Sequence, residues 1–101
     1  MPSVIQGMLK EEKERNLELQ EIYSREIESL PKGSIMVKRI SDKDYCYLKY
    51  WKNGKAHMDY LGKDNALIEK VSFEIKRRKH LQDVLKRLKM EYKEICKIVK
   101  D

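Results

Sequence analysis

The sequence predicts an α+β fold in which a long helix, a three-stranded antiparallel β-sheet and a second long helix follow one another in a single domain. Apolar residues recur at steps of three and four within residues 1–30 and again within residues 64–101, which is typical of amphipathic helices. Residues 31–63 are rich in β-branched and aromatic side chains around Asn53-Gly54, the strongest short-range hairpin signal. A chain of 101 residues has the length of one domain with a small core, so we expect the helices to form an antiparallel pair or a coiled coil.

The first helix is expected over residues 1–30. Ser3 and Gln6 have the spacing of a capping box at its start. Pro31 ends it, because the residue before a proline is pushed out of the helical region. The apolar stripe thins between Glu11 and Asn16, where we expect the helix to be solvated. The stripe consists of Ile5, Met8, Leu9, Leu19, Ile22, Tyr23, Ile27 and Leu30.

Three strands are expected at residues 34–40, 45–52 and 55–61. Residues 41–44 have turn composition, and Asn53-Gly54 suits a type I′ turn because both residues tolerate a positive φ. A two-residue turn fixes the register of the second hairpin. The expected pairs are Lys52–Lys55, Trp51–Ala56, Tyr50–His57, Lys49–Met58, Leu48–Asp59, Tyr47–Tyr60 and Cys46–Leu61.

This register separates two faces of the sheet. The face with Cys46, Leu48 and Leu61 is expected to pack on helix. The opposite face is the candidate outer surface, although the reverse assignment stays open because aromatic side chains also make good core. The candidate outer face carries Tyr47, Lys49, Trp51, Met58 and Tyr60.

The second helix is expected over residues 64–101, with Asp64 as its cap, and would be about 55 Å long. From residue 81 its apolar side chains step alternately by four and three residues, which is a heptad seam. We expect this seam to pack against the first helix and to support self-association as a dimer. The seam consists of Leu81, Leu85, Leu88, Tyr92, Ile95 and Val99.

The charge of the chain is uneven. The formal net charge is +6, distributed as −3 over residues 1–30, +4 over residues 31–62 and +5 over residues 63–101. Attraction between an acidic and a basic helix accounts for part of this asymmetry. The surplus in the last two thirds favours an acidic partner such as DNA or RNA.

Two sets of residues are candidates for binding nucleic acid or another partner. A basic run on the second helix is able to follow a phosphate backbone, and consists of Lys76, Arg77, Arg78, Lys79, Lys86, Arg87 and Lys89. On the sheet, basic side chains lie among flat rings that stack on bases, and this set consists of Lys38, Arg39, Tyr47, Lys49, Trp51, Lys52, Lys55 and Tyr60. Each set also has a plainer interpretation, as a solvated helix face and as tyrosines that cover the helices.

Catalysis, metal binding and membrane insertion are not expected. His57 and Asp59 share a strand face, but no serine or cysteine is placed to complete a triad with them. Cys46 and Cys96 lie in different elements without metal-ligand spacing, as free thiols in a reducing cytosol do. The sequence shows no apolar run of membrane-spanning length and no export signal, so we expect a cytoplasmic protein without cofactors.

The segments "LPKGS" (30–34), "YCYLKYWKNGK" (45–55) and "YLGK" (60–63) resemble a family of small bacterial and phage proteins. These share a helix, an LPKGS-like link, an aromatic hairpin, YLGK and a long charged helix, so the resemblance implies this fold over nearly the whole chain. A similar hairpin stands near the start of some insertion-sequence transposases, where its expected role is to engage DNA. No transposase catalytic motif follows in this chain, so the resemblance implies no recombinase activity.

We therefore expect a non-enzymatic basic protein that engages nucleic acid through the hairpin and the basic helix. An alternative is an inhibitor from a phage or plasmid that acts on a host defence nuclease, such as an anti-CRISPR protein that binds the effector or its guide RNA. A third interpretation is a coiled-coil adaptor that uses the seam.

Overall fold

A computed structural model describes residues 3–63 and 65–99 of the chain. The elements follow the predicted order, as α1 (Val4–Ser29), β1 (Ser34–Ile40), β2 (Lys43–Lys52), β3 (Lys55–Gly62) and α2 (Asn65–Ile98). The three strands form one antiparallel sheet in the order β1-β2-β3. The predicted α+β fold is therefore confirmed.

The ends of the helices follow local sequence signals. At the start of α1 the backbone N–H of Gln6 donates to the Ser3 hydroxyl at 3.1 Å, which is the predicted cap. The helix ends at Ser29, two residues before Pro31. Asp64, the predicted cap of α2, lies outside the described residues.

The chain divides into two compact units. The helical unit comprises the described parts of residues 1–29 and 80–101, and the sheet unit comprises those of residues 30–79. α2 contributes to both units, because its residues 65–79 belong to the sheet unit and the rest to the helical unit.

In the helical unit, α1 and α2 form the predicted antiparallel pair. The side-chain amide of Asn16 donates to the carbonyl oxygen of Leu88 at 3.0 Å, and the Lys13 ammonium lies 6.0 Å from the centre of the Tyr92 ring. The contacts run in opposite chain directions, as an antiparallel pair requires. The expectation of a solvated stretch up to Asn16 is wrong at that residue, since Asn16 is only 2% exposed.

Apolar burial in the helical unit is sparse. Among its described residues, Ile27, Leu81 and Val99 are the apolar side chains classed as buried. Ile5, Met8 and Ile22, which the sequence assigned to the apolar stripe of the first helix, are exposed on the surface. A helix that faces one partner along one flank leaves its other apolar residues in water.

Both turns of the sheet are two-residue turns with positive φ angles. Asn53 (φ 52°) and Gly54 (φ 75°) form the predicted turn between β2 and β3. Ser41 (φ 50°) and Asp42 (φ 62°) form a second such turn, inside the turn predicted at residues 41–44 but two residues long instead of four. β2 consequently begins at Lys43, two residues earlier than expected.

The register of the second hairpin follows the prediction as far as Tyr47, which pairs with Tyr60. The predicted pair of Cys46 with Leu61 is wrong, because Cys46 pairs with Gly62. The register shifts between Cys46 and Tyr47, so that Leu61 is an extra residue of β3 in a β-bulge.

The link between α1 and β1 lies close to the backbone of β2. Gly33 has a φ of 112°, and a β-carbon at this position would overlap the carbonyl oxygen of Lys49 and lie 3.0 Å from the β-carbon of Tyr50. Only glycine combines this φ with so close an approach. The glycine of the "LPKGS" segment is therefore required by backbone packing.

Candidate nucleic-acid interface

α2 lies on one side of the sheet within the sheet unit. Ile35 of β1 lines a groove of about 450 Å³ together with Ile68, Ser72 and Phe73 of α2. Ile35 pairs with Leu48 on β2, so the two side chains share a face of the sheet. The face that carries Leu48 is thus the one beside α2.

The opposite face carries most of the aromatic side chains, and we call it the tyrosine face. Alternation along the three strands places its members on one side of the sheet. They include Lys38 of β1, Tyr45, Tyr47, Lys49 and Trp51 of β2, and Met58 and Tyr60 of β3, with Lys63 following β3.

Three tyrosines form a cluster on this face. The ring centre of Tyr60 lies 5.4 Å from that of Tyr47 and 6.1 Å from that of Tyr45, with interplanar angles of 50° and 45°. Tilted pairs at such distances are favoured by the ring quadrupoles. Tyr45 and Tyr47 are half-buried, while Tyr60 remains 54% exposed.

Two lysines complete the cluster. The ammonium of Lys38 lies 5.6 Å from the centre of the Tyr47 ring, and that of Lys63 lies 5.8 Å from the centre of the Tyr45 ring. Both distances are within the reach of a cation–π interaction. The Lys38 ammonium therefore lies over the Tyr47 ring and the Lys63 ammonium over the Tyr45 ring, and both bring positive charge to the edge of the cluster.

Trp51 stands at the turn end of the same face. It pairs with Ala56, whose methyl group is too small to cover an indole, and it is 69% exposed. Tyr60 is four residues along β3 from Ala56, so the two exposed rings are separated by about 13 Å along the strands. Lys49 lies between them.

A second polar cluster lies on the face beside α2. The Tyr50 and His57 rings stack with centres 5.4 Å apart and an interplanar angle of 13°. Hydrogen bonding to Asp59 raises the pKa of the Tyr50 hydroxyl above its ordinary value, with further contributions from desolvation and from the Asp59 charge. The sequence analysis did not recognise this cluster, although the predicted pairing of Tyr50 with His57 was a signal for it.

The structure divides the predicted binding residues of the sheet between its two faces. Tyr47, Lys49, Trp51 and Tyr60 lie together on the tyrosine face, and Lys38 joins them. Strand alternation places the other predicted members, Arg39, Lys52 and Lys55, on the opposite face. The sequence missed Tyr45 and Lys63, which belong to the cluster; the signal for Tyr45 was its two-residue step from Tyr47.

The predicted basic run of α2 is divided between the two units. In the sheet unit, Lys76 and Lys79 are exposed, whereas Arg77 and Arg78 are half-buried. In the helical unit, Lys86, Arg87 and Lys89 are exposed, and the Arg87 guanidinium lies 3.0 Å from the Asp83 carboxylate. Exposed ion pairs of this kind contribute little to stability.

The heptad seam of α2 faces α1 of the same chain. Leu81 and Val99 are buried, and Leu88 and Tyr92 make the contacts to Asn16 and Lys13. The remaining seam residues, Leu85 and Ile95, are half-buried. The seam is therefore engaged within the chain at these positions.

Two other features of the described residues bear on metal binding and on membrane insertion. Within residues 3–63 and 65–99, no three histidine, cysteine or acidic side chains are grouped so that they would hold a metal ion. None of the helices in that part of the chain has the length and apolar character needed to cross a membrane.

The family model of a domain of unknown function, DUF6788, matches residues 9–70, more than half of the chain. The chain belongs to the DUF6788 family. The DUF6788 match includes most of α1, the whole sheet with its tyrosine face, and the start of α2. The basic residues between 76 and 89 lie beyond it. No curated protein and no solved structure gives a significant match to the chain.

Proposed function

We propose that this DUF6788 protein binds single-stranded nucleic acid on the tyrosine face of its sheet. The observation that carries the proposal is the pair of exposed rings, Trp51 and Tyr60, on one face with lysines between and beside them. Exposed rings stack on unpaired bases, and ammonium groups bind the phosphates of the same strand.

The spacing of the rings supports a single strand over a duplex. A separation of about 13 Å along the strands corresponds to a few nucleotides of an extended strand, with Lys49 between the two rings. In a duplex the bases already stack on one another, so exposed rings gain no base contacts. Lys38 and Lys63, whose ammonium groups lie over the Tyr47 and Tyr45 rings, would supply further positive charge for phosphates at the edge of the cluster.

The proposal is one of binding without catalysis. Tyr50, His57 and Asp59 are the polar side chains nearest to an acid–base set; the Tyr50 and His57 rings stack, and Asp59 acts on the Tyr50 hydroxyl. Tyr50 is a poor general base at neutral pH, because the ordinary tyrosine pKa of about 10 already keeps the hydroxyl protonated and the interaction with Asp59 raises the pKa further.

The test is a fluorescence titration with single-stranded and duplex oligonucleotides at low and near-physiological salt. Replacing Trp51 or Tyr60 by alanine should each weaken single-strand binding by about 1–3 kcal/mol and affect duplex binding less. Phe73→Ala is the matched control, because Phe73 is also 69% exposed but lies on α2. Single-strand binding no tighter than generic non-specific attraction, roughly 10⁻⁴–10⁻⁶ M, would contradict the proposal.

A second candidate function is inhibition of a host defence nuclease by direct protein contact, as an anti-CRISPR protein from a mobile element would act. It is favoured by the exposure of Trp51, since an exposed tryptophan is a typical anchor of a protein interface. Binding to a protein pocket would depend only modestly on salt, whereas binding to phosphates weakens steeply. Loss of partner binding in Trp51→Ala without any nucleic-acid affinity in the wild type would support this second function.

A further inference from the structure

A groove of about 490 Å³ lies on the surface of the helical unit. Ile27, Leu85 and Met90 form its apolar part, and Lys86, Lys89 and Lys93 supply its positive charge. Within the described part of the chain, none of these three lysines makes an ion pair. A groove of this kind fits an apolar side chain flanked by acidic ones.

α1 carries such a segment on its surface. Asn16 points toward α2, and each further residue turns the helix by about 100°, so Leu17, Glu21 and Glu28 lie on one flank of α1. Glu14 extends the same line, because it precedes Glu21 by seven residues, or about two turns. Leu17 is 45% exposed, and the three glutamates are exposed as well.

The groove and the acidic flank lie on the same face of the helical pair. Lys89 follows Leu88 in α2, as Leu17 follows Asn16 in α1, and Leu88 and Asn16 are in contact. In an antiparallel pair of right-handed helices, the residue that comes directly after each contact residue is turned toward the same side of the pair. Leu17 and Lys89 therefore lie on the same side. One face of the pair thus presents both an acidic ridge with an exposed leucine and a basic apolar groove.

Such a face is complementary to itself under a two-fold rotation. A rotation axis parallel to the helices places α1 of each copy over α2 of the other, so that both grooves are filled at once. The charges that meet are then opposite, because Glu14 and Glu21 of one copy lie at the level of the groove lysines of the other. Glu21 also pairs with Arg25 of its own helix.

The small core of the helical unit supports a second copy as the occupant. Two helices bury few apolar side chains, and a four-helix arrangement provides the interior that a two-helix pair lacks. Leu17 and Met90 are exposed large apolar side chains on the proposed face, and a second copy would cover both.

We infer that two copies of this chain associate through this face, with Leu17 of each copy in the groove of the other. The interface differs from the predicted seam, which faces α1 of the same chain, although Leu85 contributes to both. It also assigns Lys86 and Lys89 to the dimer rather than to nucleic acid.

The test is a set of charge reversals followed by mass measurement in solution. The wild type should have about twice the chain mass of 12.2 kDa at micromolar concentration. The triple variant Lys86→Glu, Lys89→Glu, Lys93→Glu and the triple variant Glu14→Lys, Glu21→Lys, Glu28→Lys should each be monomeric, because like charges then meet across the interface. An equimolar mixture of the two variants should recover the dimer mass.

The matched control is Lys38→Glu, Lys55→Glu, Lys76→Glu, which changes the net charge equally within the sheet unit and should remain dimeric. Circular dichroism identifies any variant that fails to fold, and for such a case Leu17→Ser, at an exposed position, should dissociate the dimer without loss of helix. A monomeric wild type, a dimeric lysine triple variant, or a mixture that stays monomeric would each overturn the inference. A lysine triple variant that keeps the dimer but loses oligonucleotide binding would assign the groove to nucleic acid instead.

Discussion

The side-chain amide of Asn16 in α1 donates a hydrogen bond to the main-chain carbonyl oxygen of Leu88 in α2, at 3.0 Å. Asn16 is 2% exposed, and its own amide oxygen accepts a hydrogen bond from the Gln20 side chain at 2.6 Å. A shift of α1 along α2 would leave this buried amide without its partner, at a cost comparable to that of other unsatisfied polar groups. The bond therefore favours one register of the helical pair, as a buried asparagine does in coiled coils.

The first prediction concerns the charge tolerated at this position. Asn16→Asp removes the donor and places a carboxylate oxygen against the Leu88 carbonyl oxygen, so we expect the free energy of unfolding to fall by about 3 kcal/mol or more at neutral pH. Urea denaturation measures the change. Asn53→Asp is the control, because the exposed turn accepts either residue. Equal urea midpoints for the two variants would show that the Asn16 contact does not stabilise the pair.

The second prediction compares two glycines. Gly33→Ala should destabilise the protein by more than about 1 kcal/mol, because its β-carbon would overlap the Lys49 carbonyl oxygen at a φ of 112°. Gly7→Ala meets no atom within 4 Å and lies inside α1, so it should stabilise the protein by roughly 0.5–1 kcal/mol. Thermal melts of the two variants should shift in opposite directions. A Gly33→Ala variant as stable as the wild type would disprove the close approach of the link to β2.

The third prediction separates the two faces of the sheet by salt dependence. Replacing Lys38, Lys49 and Lys63 by glutamine removes three charges from the tyrosine face. The slope of log affinity against log salt for a single strand should then become shallower by about 2, because each phosphate contact contributes roughly 0.7.

The matched control for this experiment is the triple glutamine variant of Arg39, Lys52 and Lys55. It removes the same charge from the opposite face and should change the slope much less. Equal changes in slope for the two triple variants would show that binding follows net charge rather than the tyrosine face.

The fourth prediction concerns the ionisation of Tyr50. Because hydrogen bonding to Asp59 raises its pKa in the folded protein, the stability that Tyr50 contributes is complete below the ordinary tyrosine pKa of about 10 and is lost as the pH rises through the raised value. Asp59→Asn should bring the pKa of Tyr50 back toward its ordinary value, and Asp42→Asn should not. The ring resonances of Tyr50 followed by NMR from neutral to alkaline pH measure both. An unchanged Tyr50 titration in Asp59→Asn would rule out the carboxylate as the cause.

The sequence by itself determined the elements that depend on neighbouring residues. Ser3 caps α1, Pro31 follows its end, and Asn53-Gly54 sets the turn and most of the register between β2 and β3. These features are local, because a cap, a proline or a tight turn acts on a few consecutive residues. Alternation from that turn also placed Tyr47, Lys49, Trp51 and Tyr60 on one face of the candidate site, since side chains of a strand alternate wherever the strand lies.

Only the tertiary structure decided which of these residues come together with residues distant in the chain. The burial of Asn16 depends on Leu88, the bulge at Leu61 changes the pairing of Cys46, and Lys38 and Lys63 reach the tyrosine cluster from β1 and from beyond β3. Arg39 lies outside the site because it pairs with Asp44 on the other face, whereas the predicted register had already placed Lys52 and Lys55 on that face. Charge and aromatic content are properties of composition, whereas a shared surface depends on long-range pairing that local preferences do not specify.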